Sequence, residues 1–151
     1  MWFSRKQGSR VPPAGAAEGA RPLPGQVTTK SRGDAAESAA RAYLGRAGLK
    51  FVEANYRTPG RGGGEIDLVM RAADGTLVFV EVRQRADALH GGAAASIGSA
   101  KQQRIVLSAR HYLMRFASPP PCRFDVVLVN GALDGKAGAA IEWLPAAFDA
   151  S

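Results

Sequence analysis

Gly64–Arg85, "GEIDLVMRAADGTLVFVEVRQR", is the stretch that decides the fold. Two runs of strand-forming residues flank a turn, and strand side chains alternate between faces. Glu65, Asp67 and Val69 therefore share one face of the first run, and Ile66, Leu68 and Met70 the other. In the second run Phe79, Glu81 and Arg83 share a face. Asp74-Gly75 favours a two-residue hairpin loop in general. A three-residue loop, Ala73-Asp74-Gly75, places Gly75 in the left-handed position of a bulged turn. We expect the longer loop, because it gathers Ile66, Leu68, Met70, Val78, Val80 and Val82 on one wholly apolar face. The shorter loop slips the register by one and parts the two sets. In the preferred register Val69 faces Phe79, Asp67 faces Glu81, and Glu65 faces Arg83.

That register sets two carboxylates roughly 5 Å apart. At an effective dielectric near 20 they repel by about 3 kcal/mol, against roughly 0.2–1 kcal/mol from a favourable cross-strand pair. A shared proton, Arg83 alongside, or a bound cation would each relieve the repulsion. Mg²⁺ and Mn²⁺ suit such oxygen ligands, and Mg²⁺ is often held by one or two carboxylates, waters and substrate phosphate. A metal so held activates water and assists displacement at phosphorus. The plainer alternative is a solvated Glu65–Arg83 ion pair with Asp67 turned to water.

Outward from the hairpin, "GDAAESAARAYLGRAG" reads as a helix with Asp34 as N-cap, Glu37 as its capping-box partner and Gly48 as the stop. "FVEANY" is a short strand and "RTPGRGGG" a loop. A second helix runs from about Gly98 to Phe116. It carries an apolar stripe of Ile105, Ala109, Tyr112, Leu113 and Phe116 and a polar face of Lys101, Arg104, Ser108, His111 and Arg115. Lys101, Arg104 and, in the glycine-rich loop, Arg57 and Arg61 are candidates for contacts to phosphate. "CRFDVVLV" is a strand whose Arg123 and Asp125 form a structural pair. "AIEWL" is an edge strand, and Pro145 suits the start of a last helical turn. The order is α-β-β-β-α-β with a β-α tail. His90 sits in a mobile-looking loop with Gly91 and Gly92 as hinges, and both histidines read as surface residues.

Of the 151 residues, 1–31 form a Pro-, Gly- and Ala-rich stretch without helical or strand period, expected to be a disordered basic arm. Residues 32–151 are expected to form one domain. The net charge of +7 is concentrated near the start: six basic and one acidic residue up to Arg32 give +5, while fourteen basic and twelve acidic from Gly33 onward give +2. A basic arm can neutralise nucleic-acid phosphates, and it can equally be a solvated tail. No apolar run approaches the ~20 residues of a membrane helix, and the basic start lacks an apolar signal segment. The single cysteine, Cys122, excludes an internal disulfide and a cysteine-rich zinc site, and is expected to be buried. A cytoplasmic protein is expected.

Five stretches together, "GDAAESAARAYL", "GGGEIDLVM", "VFVEVRQR", "LHGGAAASIGSAKQQRI" and "CRFDVVLV", resemble the YraN-type family of small bacterial proteins in order and spacing. They cover most of residues 33–143. The resemblance implies an α/β restriction-endonuclease-like αβββαβ core, with a mixed central sheet and helices packed on it, akin to archaeal Holliday-junction resolvases. It implies metal binding by Asp67 and Glu81, with Glu37 as a third ligand, and a partner nucleic acid, DNA in the first place and branched DNA among the candidates. It implies Arg83 at a position where related nucleases carry lysine. Arginine stays protonated and makes a poor base, so Lys101 is the candidate to supply the missing ammonium. Resolvase relatives are dimers, so a homodimer is an expectation. The function expected is a Mg²⁺- or Mn²⁺-dependent phosphodiesterase. The alternative is a catalytically silent nucleic-acid-binding module or a structural partner of a larger complex.

Overall fold

The computed structural model describes residues 29–60, 63–85, 97–130 and 140–150. Residues 1–28 of the expected 1–31 arm, Arg61, and the loop with His90, Gly91 and Gly92 lie outside the described residues, whereas residues 29–31 of that arm are helical. In chain order the elements are α1 (Thr29–Arg46), β1 (Lys50–Arg57), β2 (Glu65–Arg71), β3 (Leu77–Arg85), α2 (Ser99–Leu113), β4 (Cys122–Asn130) and β5 (Ala140–Phe148). The strands form one mixed sheet in the order β1-β2-β3-β4-β5. Only β3 and β4 are parallel. The long connection a parallel pair needs contains α2.

β3 lies at the centre and is apolar on both faces, so each helix finds a surface to cover. Ala36, Ala40 and Leu44 repeat every fourth residue along α1 and pack with Leu68, Met70, Val78, Val80, Val127 and Val129. Ile105, Val106, Ala109 and Tyr112 of α2 pack on the other face with Val69, Leu77, Phe79 and Phe124. Three rings, Tyr112, Phe79 and Phe124, follow one another at centroid spacings of 5.7 Å. Among the described residues no helix is long and apolar enough to cross a membrane.

The hairpin adopts the three-residue loop. Gly75 has φ +93 and donates to the Ala72 carbonyl, while the Ala72 N–H donates to Thr76. The Asp74 carboxylate accepts the Thr76 N–H at 3.0 Å, and that bond holds its pKa below the usual value. Val69 faces Phe79 and Leu68 faces Val80.

Several local expectations are corrected. α1 begins at Thr29, so Asp34 lies inside the helix and Glu37 is no capping-box partner. The helix does end as expected at Gly48 (φ +105). The Leu49 N–H reaches back to Leu44 and the Gly48 N–H to Gly45, the paired bonds of a Schellman stop. Pro145 starts no helical turn but lies within β5. As an edge strand β5 tolerates a residue without an N–H, and its pairing with β4 shifts register at this point. Cys122 is exposed at the start of β4, not buried. Ile66 leaves the expected apolar face and joins Tyr56 in the α2-side core, whereas Leu68 stays on the α1 side.

Candidate functional site

The departure of Ile66 marks where the site is built. Ala54 pairs with Leu68 and Tyr56 with Ile66. In a regular ladder both pairs would face the same way, yet Ala54 and Leu68 pack toward α1 while Tyr56 and Ile66 pack toward α2. The ribbon turns over between them, at Asn55 and Asp67. Asn55 makes the turn with φ +56, a left-handed conformation that asparagine accepts more readily than most residues. Counting along the register brings Asn55 opposite Asp67 and Asp67 opposite Glu81, so the three form a row across β1, β2 and β3.

Regular pairing of β2 and β3 ends at Leu68–Val80. Two residues further, the Val82 N–H would meet the Ile66 carbonyl in a continued ladder. It donates instead to Asp67 Oδ2 at 2.8 Å. The side chain thus fills the place of a backbone acceptor, and the strands part around it. A cavity of about 280 Å³ opens there, walled by Glu37 and Ala36 of α1, Asp67, Glu81 and Arg83 of the hairpin, and Lys101 of α2. A smaller one of about 130 Å³, bounded by Gly64, Glu65 and Arg104, shares Asp67, Glu81 and Lys101 with it.

Glu81 is 4 % exposed, and its Oε2 lies 2.9 Å from Lys101 Nζ. Burial first, and the neighbouring Glu81 second, push the Asp67 carboxyl up to about 8, although the Val82 N–H pulls the other way. Burial and the facing Glu81 thus favour the protonated form of Asp67. Burial also raises Glu37, opposed by Asn55. With its amide nitrogen turned toward α1, Asn55 donates to both Glu37 oxygens at 3.2 Å. Of the three expected remedies for the paired carboxylates this arrangement favours one, a proton on Asp67, and it adds another, the Lys101 ammonium on Glu81.

The structure thus brings Glu37, Asp67, Glu81, Arg83 and Lys101 to one cavity and Arg104 to its neighbour. Arg61 lies outside the described residues. Glu65 does not pair with Arg83; it faces Arg57 in the β1–β2 register, with 3.7 Å between the charged groups.

Beyond Arg104 the polar face of α2 turns inward at Ser108 and His111, while Arg115, just past the helix end, stays exposed. Ser108 is fully buried and accepts from Thr58 Oγ1 at 2.6 Å and the Gly64 N–H at 3.1 Å. His111 is bonded through Nδ1 to the Tyr56 hydroxyl, and Arg115 lies 3.6 Å from Glu53 and 3.7 Å above the Tyr112 ring. This seam fixes α2, and so Lys101, on the β1–β2 end of the sheet.

Sequence reasoning missed two groups. Asn55 interrupts a strand, where asparagine is depleted, and that oddity was the available signal. Asp125, fully buried, accepts not only from Arg123 (3.0 Å) but also from Trp143 Nε1 and the Ala146 N–H, both at 2.9 Å. Ala146 reaches it from a left-handed conformation, φ +52, just after Pro145. No local sequence signal joins these distant residues.

Mg²⁺ takes oxygen ligands and typically uses only one or two protein carboxylates, keeping several waters. Among the described residues no three carboxylate, imidazole or thiol groups stand at ligating separation. The Asp67–Glu81 pair supplies two hard donors whose mutual repulsion a divalent cation relieves, and Glu37 supplies an acceptor on the wall for its waters. The donor chemistry fits such an ion.

Residues 36–129 match the model of a family described as "Uncharacterised protein family UPF0102". A UPF0102 protein of Polaromonas naphthalenivorans (strain CJ2) is 74% identical over 153 residues, covering 100% of both chains. One from Albidiferax ferrireducens is 63% identical over 123 residues, 82% of this chain and 91% of the other. One from Verminephrobacter eiseniae is 56% identical over 150 residues and 99% of each. With its five-stranded sheet, two covering helices and a match spanning α1 to β4, the chain belongs to the UPF0102, or YraN-type, family.

Proposed function

We propose that this protein is a divalent-metal-dependent phosphodiesterase acting on nucleic acid, DNA in the first place and branched DNA among its candidate forms, built on a restriction-endonuclease-like core. The observation that carries the reading is the convergence of Asp67, Glu81 and Lys101 where β2 and β3 part, with Glu37 on the facing helix. Buried like charges gathered in a cleft destabilise a fold, and such perturbed groups cluster at functional sites.

Asp67 and Glu81 would hold Mg²⁺ or Mn²⁺. When bound, the ion supplies an activated water and charge stabilisation at phosphorus. Asp67 would hold the ion as a carboxylate, its proton passing to solvent, because a nearby positive charge favours the ionised form. Lys101, which bonds Glu81 in this structure, would engage a phosphate oxygen or orient the attacking water once a cation takes over the charge of Glu81. Arg83, permanently charged, stabilises the charge that develops on phosphorus. Arg104, which lines the adjoining cavity with Gly64, would contact a flanking phosphate.

The test is incubation of the protein with duplex, single-stranded and four-way DNA in Mg²⁺ and in Mn²⁺, beside Asp67→Asn and Glu81→Gln. Cleavage by the wild type, absent from both variants and in EDTA, supports the reading. Salt-dependent DNA binding without cleavage of any form would replace it with the silent binding module.

A further inference from the structure

Asn55 has no part in the reaction described above, yet its conformation is the least ordinary feature of β1. A strand residue with φ +56 gives up regular ladder geometry, and a conformation of that kind is retained when the surroundings over-determine it. Two consequences meet at this position. The ribbon turns over there, sending Tyr56 toward α2 and leaving Ala54 toward α1. With its amide nitrogen turned toward α1, the orientation that gives the Glu37 carboxylate a donor, the side chain donates to both oxygens of Glu37 at 3.2 Å. Glu37 stands on α1 at the cavity wall, facing Asp67 and Glu81. Without a donor on its far side, a half-buried carboxylate beside two others would turn to open water.

We infer that Asn55 is a positioning residue: its amide holds the Glu37 carboxylate at the cavity wall, presenting it to a divalent cation seated on Asp67 and Glu81. The inference rests on the metal reading above. A cation that keeps several of its waters is sensitive to acceptors around that water shell. Asparagine suits the task because it combines tolerance of the left-handed conformation with an N–H donor. Glycine shares the tolerance alone.

That difference supplies the test. Asn55→Gly removes the amide while accepting φ +56 without steric cost, so the metal-free Tm should stay close to wild type. Asn55→Ala, a second variant, removes the same amide but keeps a β-carbon. Mn²⁺ affinity is measured by titration calorimetry on the full chain for wild type, both variants, Glu37→Gln and the Asn55→Gly/Glu37→Gln double variant. Removal of such outer partners typically weakens metal binding about 10–100-fold. We expect about tenfold for each single variant and no further loss in the double, because both substitutions remove one interaction. Wild-type Mn²⁺ affinity in Asn55→Gly would overturn the inference and leave the metal reading standing. Additive losses in the double variant would overturn it too, since Asn55 would then act independently of Glu37. Absence of Mn²⁺ binding by the wild type would overturn both.

Discussion

Replacing Asp67 by asparagine should stabilise the metal-free protein, by an amount that grows with pH. Its carboxyl is raised from 3.8 to about 8 in the folded state. A raised carboxyl means that the folded protein binds a proton which the unfolded chain has released. Stability is therefore full below pH 3.8 and falls as pH rises toward 8. At about 1.4 kcal/mol per pH unit the loss has a ceiling of about 2 kcal/mol at pH 5 and about 4 kcal/mol at pH 7. Solvent entering through the cavity screens part of this, and about half is expected to survive. Asparagine mimics the protonated acid: its oxygen still accepts the Val82 N–H and its amide still donates to Glu81. In EDTA, Asp67→Asn should melt higher than wild type by roughly 3 °C at pH 5 and roughly 8 °C at pH 7, on the usual scaling for a domain of this size. The two should converge near pH 4. Circular-dichroism melts across pH 4–8 give the comparison. A Tm difference independent of pH, or an asparagine variant less stable at pH 7, would refute the burial and pairing assigned to Asp67.

Lys101→Gln removes the cation from buried Glu81; Tm at pH 7 should fall, and millimolar Mn²⁺ should raise it more than in wild type, because the metal no longer competes with an ammonium. Asp125→Ala strips the acceptor from Arg123, Trp143 and Ala146, and urea unfolding should register a loss of about 3–5 kcal/mol, with a shifted Trp143 emission. Ser108→Ala leaves the Gly64 N–H without its buried partner, which should cost about 1–3 kcal/mol and speed hydrogen exchange at Gly64.

The hairpin was legible because its signals are local and mutually consistent. One loop length satisfies both Gly75 and the apolar face, and it sets Asp67 against Glu81. The apolar stripe of α2 was legible for the same reason, its period being visible within the helix. The polar face was misleading: Ser108 and His111 carry surface chemistry, and only the approach of β1 and Gly64 draws them into a packed seam, with Arg115 exposed at its end. Ile66 was misplaced because alternation assumes an uninterrupted strand, and a single left-handed residue on the neighbouring strand suspends it. The Asp125 cluster depends on a backbone N–H delivered from residue 146, a partner that no side-chain pattern advertises.

The broken ladder also determines how the site should be dissected. Asp67 has two duties that alanine would abolish together. It caps the Val82 N–H, which the parting of the strands leaves without a backbone acceptor, and it places a carboxyl beside Glu81. Alanine would orphan a partly buried donor, at about 1–3 kcal/mol, and invite β2 and β3 to close over the gap. Lost activity in Asp67→Ala would then report a collapsed cavity as readily as a missing ligand. Asparagine retains the cap and removes only the capacity to ionise. It should therefore keep the cavity open and raise stability while abolishing metal binding. A variant that is more stable and yet inert is the signature of a residue retained for chemistry, because packing alone would favour the neutral side chain.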